Sequence, residues 1–177
     1  AYEVVNWTVN GTEVKADRNG KIFTYTIDSL TTPTTVNMVV RAKPTVAITQ
    51  PTNGTISVAY TLNDVAVTPE DGKYVYSGTK ATVTAAPNDN YVATDVTADS
   101  GSSIITTPNT DKVNGVQTLT VAEIKANTTF SATFVEKPVV TIKAGENGSV
   151  EVKGTVDGTE KTLTTGNYVD FGTSLKV

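Results

Sequence analysis

Apolar and polar residues alternate along most of the chain. Val36, Met38 and Val40 in TVNMVV recur at every second position, as do Val46 and Ile48 in TVAIT. Ile56, Val58 and Tyr60 in TISVAY, and Phe130, Ala132 and Phe134 in TFSATF, do the same. Successive side chains of a strand point to opposite faces, so this period predicts strands with one buried face. Between the runs stand Asn10-Gly11, Asn19-Gly20, Asn53-Gly54, Asp71-Gly72, Asn114-Gly115, Asn147-Gly148 and Asp157-Gly158. Such pairs suit tight hairpins, whose central residues need positive φ. Both NG[TS][IV] stretches therefore read as hairpin corners. Residues 121–127 carry the only helical signature. Their counterpart IDSLTTP contains Pro33, so a strand followed by one turn is expected instead.

The pattern repeats. KPTVAITQPTNGTISV at 43–58 matches KPVVTIKAGENGSVEV at 137–152, an offset of 94 residues. YVYSGTKATV at 74–83 matches YVDFGTSLKV at 168–177. TYTIDSL at 24–30 matches TLTVAEI at 118–124, and TTVNMVVRAK at 34–43 matches TTFSATFVEK at 128–137, all at the same offset of 94. AYEVVNWTV at 1–9 matches NYVATDVTA at 90–98 at an offset of 89, which places a five-residue insertion in the polar tract 99–115. Regular self-similarity of this kind marks stacked structural units. The expected fold is all-β, with tandem small antiparallel domains, sandwich- or grasp-like, of about 94 residues and five to seven short strands each. Residues 44–137 are one complete repeat, 1–43 the back half of another, and 138–177 the front half of a third. Only the counterpart of TAAPND, a strand end and turn at 84–89, is missing between the two halves.

Composition sharpens this picture. Of the 177 residues, 38% are hydrophobic and only 18% charged, while 34 are Thr, so the polar faces are made largely of hydroxyls. Thr and Val are β-branched and fit a pleated sheet. A net charge of −4 argues against nucleic acid, which needs clustered Lys and Arg. No basic amphipathic stretch and no apolar run of membrane-spanning length occurs, so membrane insertion is not expected. Cys and His are both absent, which removes thiol nucleophiles, the usual zinc ligands and the commonest general base.

The stretches NGSVEV, NYVDFGTSLKV, YEVVNWTVNGTEV and TTFSATF together resemble the divergent internalin-type B-repeats of bacterial surface proteins. The resemblance runs over nearly the whole chain as repeated units, with one departure: Val96 stands where Trp7 stands in the other copy. It implies small β domains strung along secreted and cell-wall proteins as spacers and adhesive modules, hence a location outside the cell. The matching residues are turn and core residues. They carry fold information and no catalytic group.

Candidate chemistry is sparse. Trp7, the single Trp, reads as a core residue rather than a sugar-stacking one, and the repeat-equivalent Tyr residues read as packing. PEDGK at 69–73 and PNDN at 87–90 offer oxygen ligands without calcium-loop spacing and read as turns. Lys80, Asn127 and Glu123 illustrate the residue types of an intramolecular Lys–Asn bond, with no spacing to support one. Asn6, Asn10, Asn53, Asn127 and Asn147 lie in glycan-acceptor sequons. No cofactor and no enzymatic activity is expected. The leading expectation is a structural subunit of an extracellular filament, stalk or surface layer. Copies join head to tail as residues 1–43 of one chain complete 138–177 of the next. Tyr2, Val4, Trp7 and Val9 form the inserted strand, with a bulge because Trp7 breaks the alternation. Val169, Phe171, Leu175 and Val177 form the accepting edge. The alternative is a piece of a long adhesin whose neighbouring repeats act as spacers or as carbohydrate- or host-binding modules, with glycans as further partners.

Overall fold

The computed structural model describes every residue except 16, 20, 21, 111, 113 and 114, and all but two side chains of the remainder, those of residues 18 and 19. The turn pairs at 19–20 and 114–115 thus lie partly outside the described residues. The fold is all-β, as the alternation predicts, and the chain forms two units, Ala1–Pro44 and Thr45–Val177.

The first unit holds β1 (Tyr2–Val9), β2 (Thr12–Val14), β3 (Asp17–Asn19), β4 (Ile22–Thr24) and β5 (Val36–Ala42). Three of them form an antiparallel sheet in the order β2-β1-β5, and β3 pairs with β4. The β1–β2 connection is a tight hairpin in which Asn10 and Gly11 take φ values of 50° and 79°. Here Asn-Gly turn chemistry works as read, since both residues tolerate the left-handed region. The expected bulge is present too: the β1–β5 register shifts between Val4 and Asn6.

The second unit begins with β6 (Val46–Ile48), β7 (Gly54–Leu62), β8 (Val65–Val67), β9 (Thr79–Pro87) and β10 (Tyr91–Asp99). It continues with β11 (Ile104–Pro108), β12 (Gln117–Ile124), β13 (Thr128–Glu136), β14 (Val152–Val156) and β15 (Thr159–Leu163). Eight of these make two four-stranded sheets, β11-β10-β13-β6 and β12-β9-β7-β8. The sheets share one core. Val46, Val96, Ala98, Phe130 and Ala132 come from the first, and Ile56, Ala81, Val83, Ala85, Leu119, Val121 and Ile124 from the second. This is a sandwich-like arrangement, in which alternate residues of both sheets interdigitate. The strand count exceeds the expected five to seven because β11, which pairs with β10 as β2 pairs with β1, and the short β8 beside the end of β7 add edge strands to the two sheets.

One hairpin expectation is corrected. Asn53 does take a positive φ of 68°, yet β6 and β7, on either side of it, belong to different sheets, so this corner is a crossover. Gly54 is needed there for space: a Cβ would run into the Phe134 ring. Likewise β9 and β10 flank the turn at Asn88–Asn90 but lie in opposite sheets. Turn residues reverse the chain without choosing its hydrogen-bonding partner.

Strand register reproduces the sequence offsets. In the complete domain Ala93 pairs with Phe134, Val96 with Ala132 and Ala98 with Phe130, with a shift between Ala93 and Asp95. In the first unit Val4 pairs with Val40, Trp7 with Met38 and Val9 with Val36, with the shift between Val4 and Asn6. These are the same pairs displaced by 89 and 94 residues. Residues 138–177 follow suit: Gly154 pairs with Lys161 as Tyr60 pairs with Val67, and Lys153 bridges Lys176 as Ala59 pairs with Thr82. A second, smaller core of Val140, Val152, Leu163 and Val169 holds this segment together.

Candidate assembly interface

Residues 1–43 and 138–177 present open apolar faces, and residues 44–137 bury the positions that correspond to them. In the complete domain Leu119, Val121 and Ile124 of β12 are buried in the core. Their counterparts Tyr25, Ile27 and Leu30 are exposed, Leu30 at 68% against 1% for Ile124. The same contrast runs along β5, where Val36 is 49% exposed and its counterpart Phe130 is fully buried. Met38 and Val40 are exposed beside it, and Val4, Trp7 and Val9 are half-buried. Monomeric proteins seldom leave so continuous an apolar face uncovered.

Residues 138–177 carry the converse face. Val150 and Leu175 are exposed, Leu175 at 47% against zero for Ala81, and Val177 corresponds to buried Val83. The last strand is present in outline. Lys153 and Lys176 exchange both backbone hydrogen bonds, at 2.8 and 2.9 Å, which seats 173–177 beside β14 as β9 sits beside β7. The outer edge of 173–177 is where β12 lies in the complete domain. Its counterpart is 23–30, which belongs to the other unit.

The structure redistributes the expected interface residues. Tyr2 is exposed, and Val4, Trp7 and Val9 face the open side, but β1 is the central strand of its sheet, flanked by β2 and β5. It therefore offers a face rather than an edge. The segment that corresponds to β12 is 23–30, through the match of TYTIDSL to TLTVAEI, and its strand part ends at Thr24. On the accepting side Leu175 and Val177 are open, whereas Val169 is buried in the small core. Phe171 lies under Lys112, whose Nζ is 4.6 Å from the ring centroid. Next to Trp7 a groove of about 540 Å³ runs past Val4, Asn6, Val14 and Phe23. Trp7 Nε1 and Asn6 Oδ1 are buried there without hydrogen-bond partners.

Among the sequons, Asn10, Asn53, Asn127 and Asn147 are exposed. The Oδ1 atoms of Asn10 and Asn127 accept backbone N–H bonds from Thr35 and Thr45, each at 2.9 Å. Asn6 is half-buried and the least accessible of the five. Lys80, Glu123 and Asn127 are all exposed, and Glu123 pairs with Lys125 at 2.5 Å, so they form no buried bond-forming trio. PEDGK is a turn closed by Glu70 and Tyr74.

No family model, curated protein or solved structure matches this chain.

A polar cluster that sequence reading missed ties 138–177 to the complete domain. Lys137 directly follows β13, and its backbone N–H donates to Asn90 O at 2.8 Å. Its nearly buried ammonium reaches Asp157 at 2.8 Å and Asp170 at 3.4 Å. Tyr168 donates to Glu136 at 2.7 Å alongside. Burial alone depresses the Lys137 ammonium, but Asp157 and Asp170 more than offset this and raise its pKa above 10.5. The hydrogen bond to Glu136, with that carboxylate's charge, likewise raises Tyr168 above 10.0. Groups with raised folded pKa values contribute stability below their ordinary pKa and lose it as pH climbs through the folded value. Methyl NMR is therefore expected to show Val169 and Leu163 losing native dispersion as pH climbs above about 10, ahead of Val83 and Val96. Simultaneous loss would show that the cluster does not hold the segment. The clue in sequence was the Lys-Pro that opens each repeat, which looks like a boundary rather than an ion-pair site.

Proposed function

We propose that the protein is a non-catalytic structural repeat protein of the cell exterior. Its copies link head to tail, each joint being a β domain assembled from residues 138–177 of one chain and 1–43 of the next. One observation carries the reading: the apolar residues exposed in each segment are counterparts of residues buried in the complete domain. A hydrophobic face of this kind drives association roughly in proportion to the area it removes from water. Because the two faces differ, the contact is heterologous and propagates instead of closing.

The resemblance to surface B-repeats supports an exterior role. The same joint serves consecutive repeats of one longer chain equally well. Light scattering on the 177-residue chain tests the reading directly. The weight-average mass is expected to rise with concentration through multiples of 18.6 kDa. A constant monomer mass up to millimolar concentration would remove the proposal.

A further inference from the structure

Three Asn-Gly pairs fall wholly within the described residues, at 10–11, 53–54 and 147–148. Each asparagine is exposed and takes a positive φ, of 50°, 68° and 63° in turn. They differ in how firmly the chain around them is held. Asn10 is clamped in the β1–β2 hairpin: its backbone N–H donates to Thr35 O and its Oδ1 accepts from Thr35 N, both at 2.9 Å. Asn53 O accepts from Asn88 N at 3.0 Å, and Gly54 opens β7 in register with Pro87. The Phe134 ring also lies on the Gly54 α-carbon, where an added Cβ would run into it. Asn147 and Gly148 form the equivalent corner 94 residues on, outside any strand and within a run of exposed residues, 143–150. Where a Cβ on Gly148 would lie, the nearest described atom is Gly145 O, at 4.0 Å.

An asparagine followed by glycine can close on itself. The glycine nitrogen gives its proton to solvent and attacks the side-chain Cγ. An N–C bond forms, the Cγ–Nδ2 bond breaks, and the amide leaves as ammonia with a proton returned to it. Water then opens the cyclic imide at either carbonyl. The products are Asp and its iso form, in which the main chain runs through the side-chain carbon. One water is consumed, one ammonia is released, and neither an oxidant nor an enzyme is required. Glycine favours closure because it has no Cβ to crowd the ring. Closure also requires the peptide between the two residues to turn toward the side chain, which a corner pinned from both sides resists. We propose that Asn147–Gly148 is a self-modifying site at which the folded chain ages, while Asn10 and Asn53 are protected by their surroundings. Conversion places a new carboxylate, and in the iso form a longer main chain, just ahead of β14. The reaction acts within one chain, so it holds whether or not copies join.

The test follows the wild-type chain in dilute, mildly alkaline buffer by peptide mapping, which reads the Asp and iso-Asp fractions at each position. Asn147 is expected to convert about tenfold or more faster than Asn53 and Asn10, since those two react only through local openings of the fold. In concentrated denaturant the three rates are expected to converge, because each asparagine is followed by glycine. Gly148→Ala has room for its Cβ, so the chain is expected to stay folded and to lose most of the conversion at position 147. Equal rates at Asn147 and Asn53 in the folded chain would overturn the proposal. So would a difference that persists in denaturant, or undiminished conversion in Gly148→Ala.

Discussion

Truncating Phe130 to Ala is expected to cost the unassembled chain about 3–5 kcal/mol, whereas truncating its counterpart Val36 to Ala is expected to cost less than about 0.5 kcal/mol. The two residues hold the same register position, paired with Ala98 and Val9 respectively. They differ in what covers them. Phe130 is fully enclosed by both sheets of the sandwich, and its removal leaves a cavity that β-branched neighbours cannot collapse into. Val36 has half its surface in water, so it loses little in the isolated chain. Denaturant unfolding at concentrations below assembly measures both costs. Val36→Ala should show its cost only in assembled material, as a lower midpoint at high protein concentration. Equal costs for Val36→Ala in the dilute and concentrated states would mean that nothing covers this face.

Ile27→Asp is expected to abolish assembly while leaving the monomer folded. Ile27 corresponds to Val121, which β12 buries against Ala81 of β9. In the joint it would pair with Leu175. An ionised carboxylate placed there without a partner costs several kcal/mol, enough to weaken the joint by more than about a hundredfold. In the free chain Ile27 is exposed, so the same change is close to neutral or improves solubility. Sedimentation velocity on the variant is expected to show one species of monomer size with an unchanged thermal unfolding profile. Assembly equal to that of wild type would remove 23–30 from the joint.

Local chemistry explains which parts of the fold were legible. Alternation located the core faces of β7 and β13, and Asn-Gly located the β1–β2 hairpin, because both signals are set within a few residues; the alternating face of β5 is exposed instead. The parallel pairing of β6 with β13 has no local signal: it joins Val46 to Thr128 across most of the domain. The separation of β9 and β10 into opposite sheets was hidden for a related reason. PNDN specifies a reversal, but whether the returning strand pairs or crosses depends on β7 and β12 already occupying both edges of β9. The open apolar positions stand out through self-comparison, since the 94-residue offset aligns exposed Leu30 and Leu175 with buried Ile124 and Ala81. The pairing of β1 on both sides was not legible because sequence shows an alternating strand but not whether its edges are taken. Lys137 was invisible for a similar reason, as its partners Asp157 and Asp170 come together only through folding.

Site-specific cross-linking tests the head-to-tail joint most directly, and a chain without Cys makes it clean. In the complete domain Thr120 pairs with Thr82 on the outer face, flanked by the core pairs Leu119–Val83 and Val121–Ala81. The corresponding positions are Thr26 and Lys176. Cα atoms paired across antiparallel strands lie within disulfide reach. Chains bearing Thr26→Cys, mixed with chains bearing Lys176→Cys and oxidised mildly, are expected to give a covalent dimer in high yield. Moving the second cysteine to Ser174 is expected to reduce that yield sharply. Equal yields from the matched and shifted pairs, or no dimer from either, would contradict the joint.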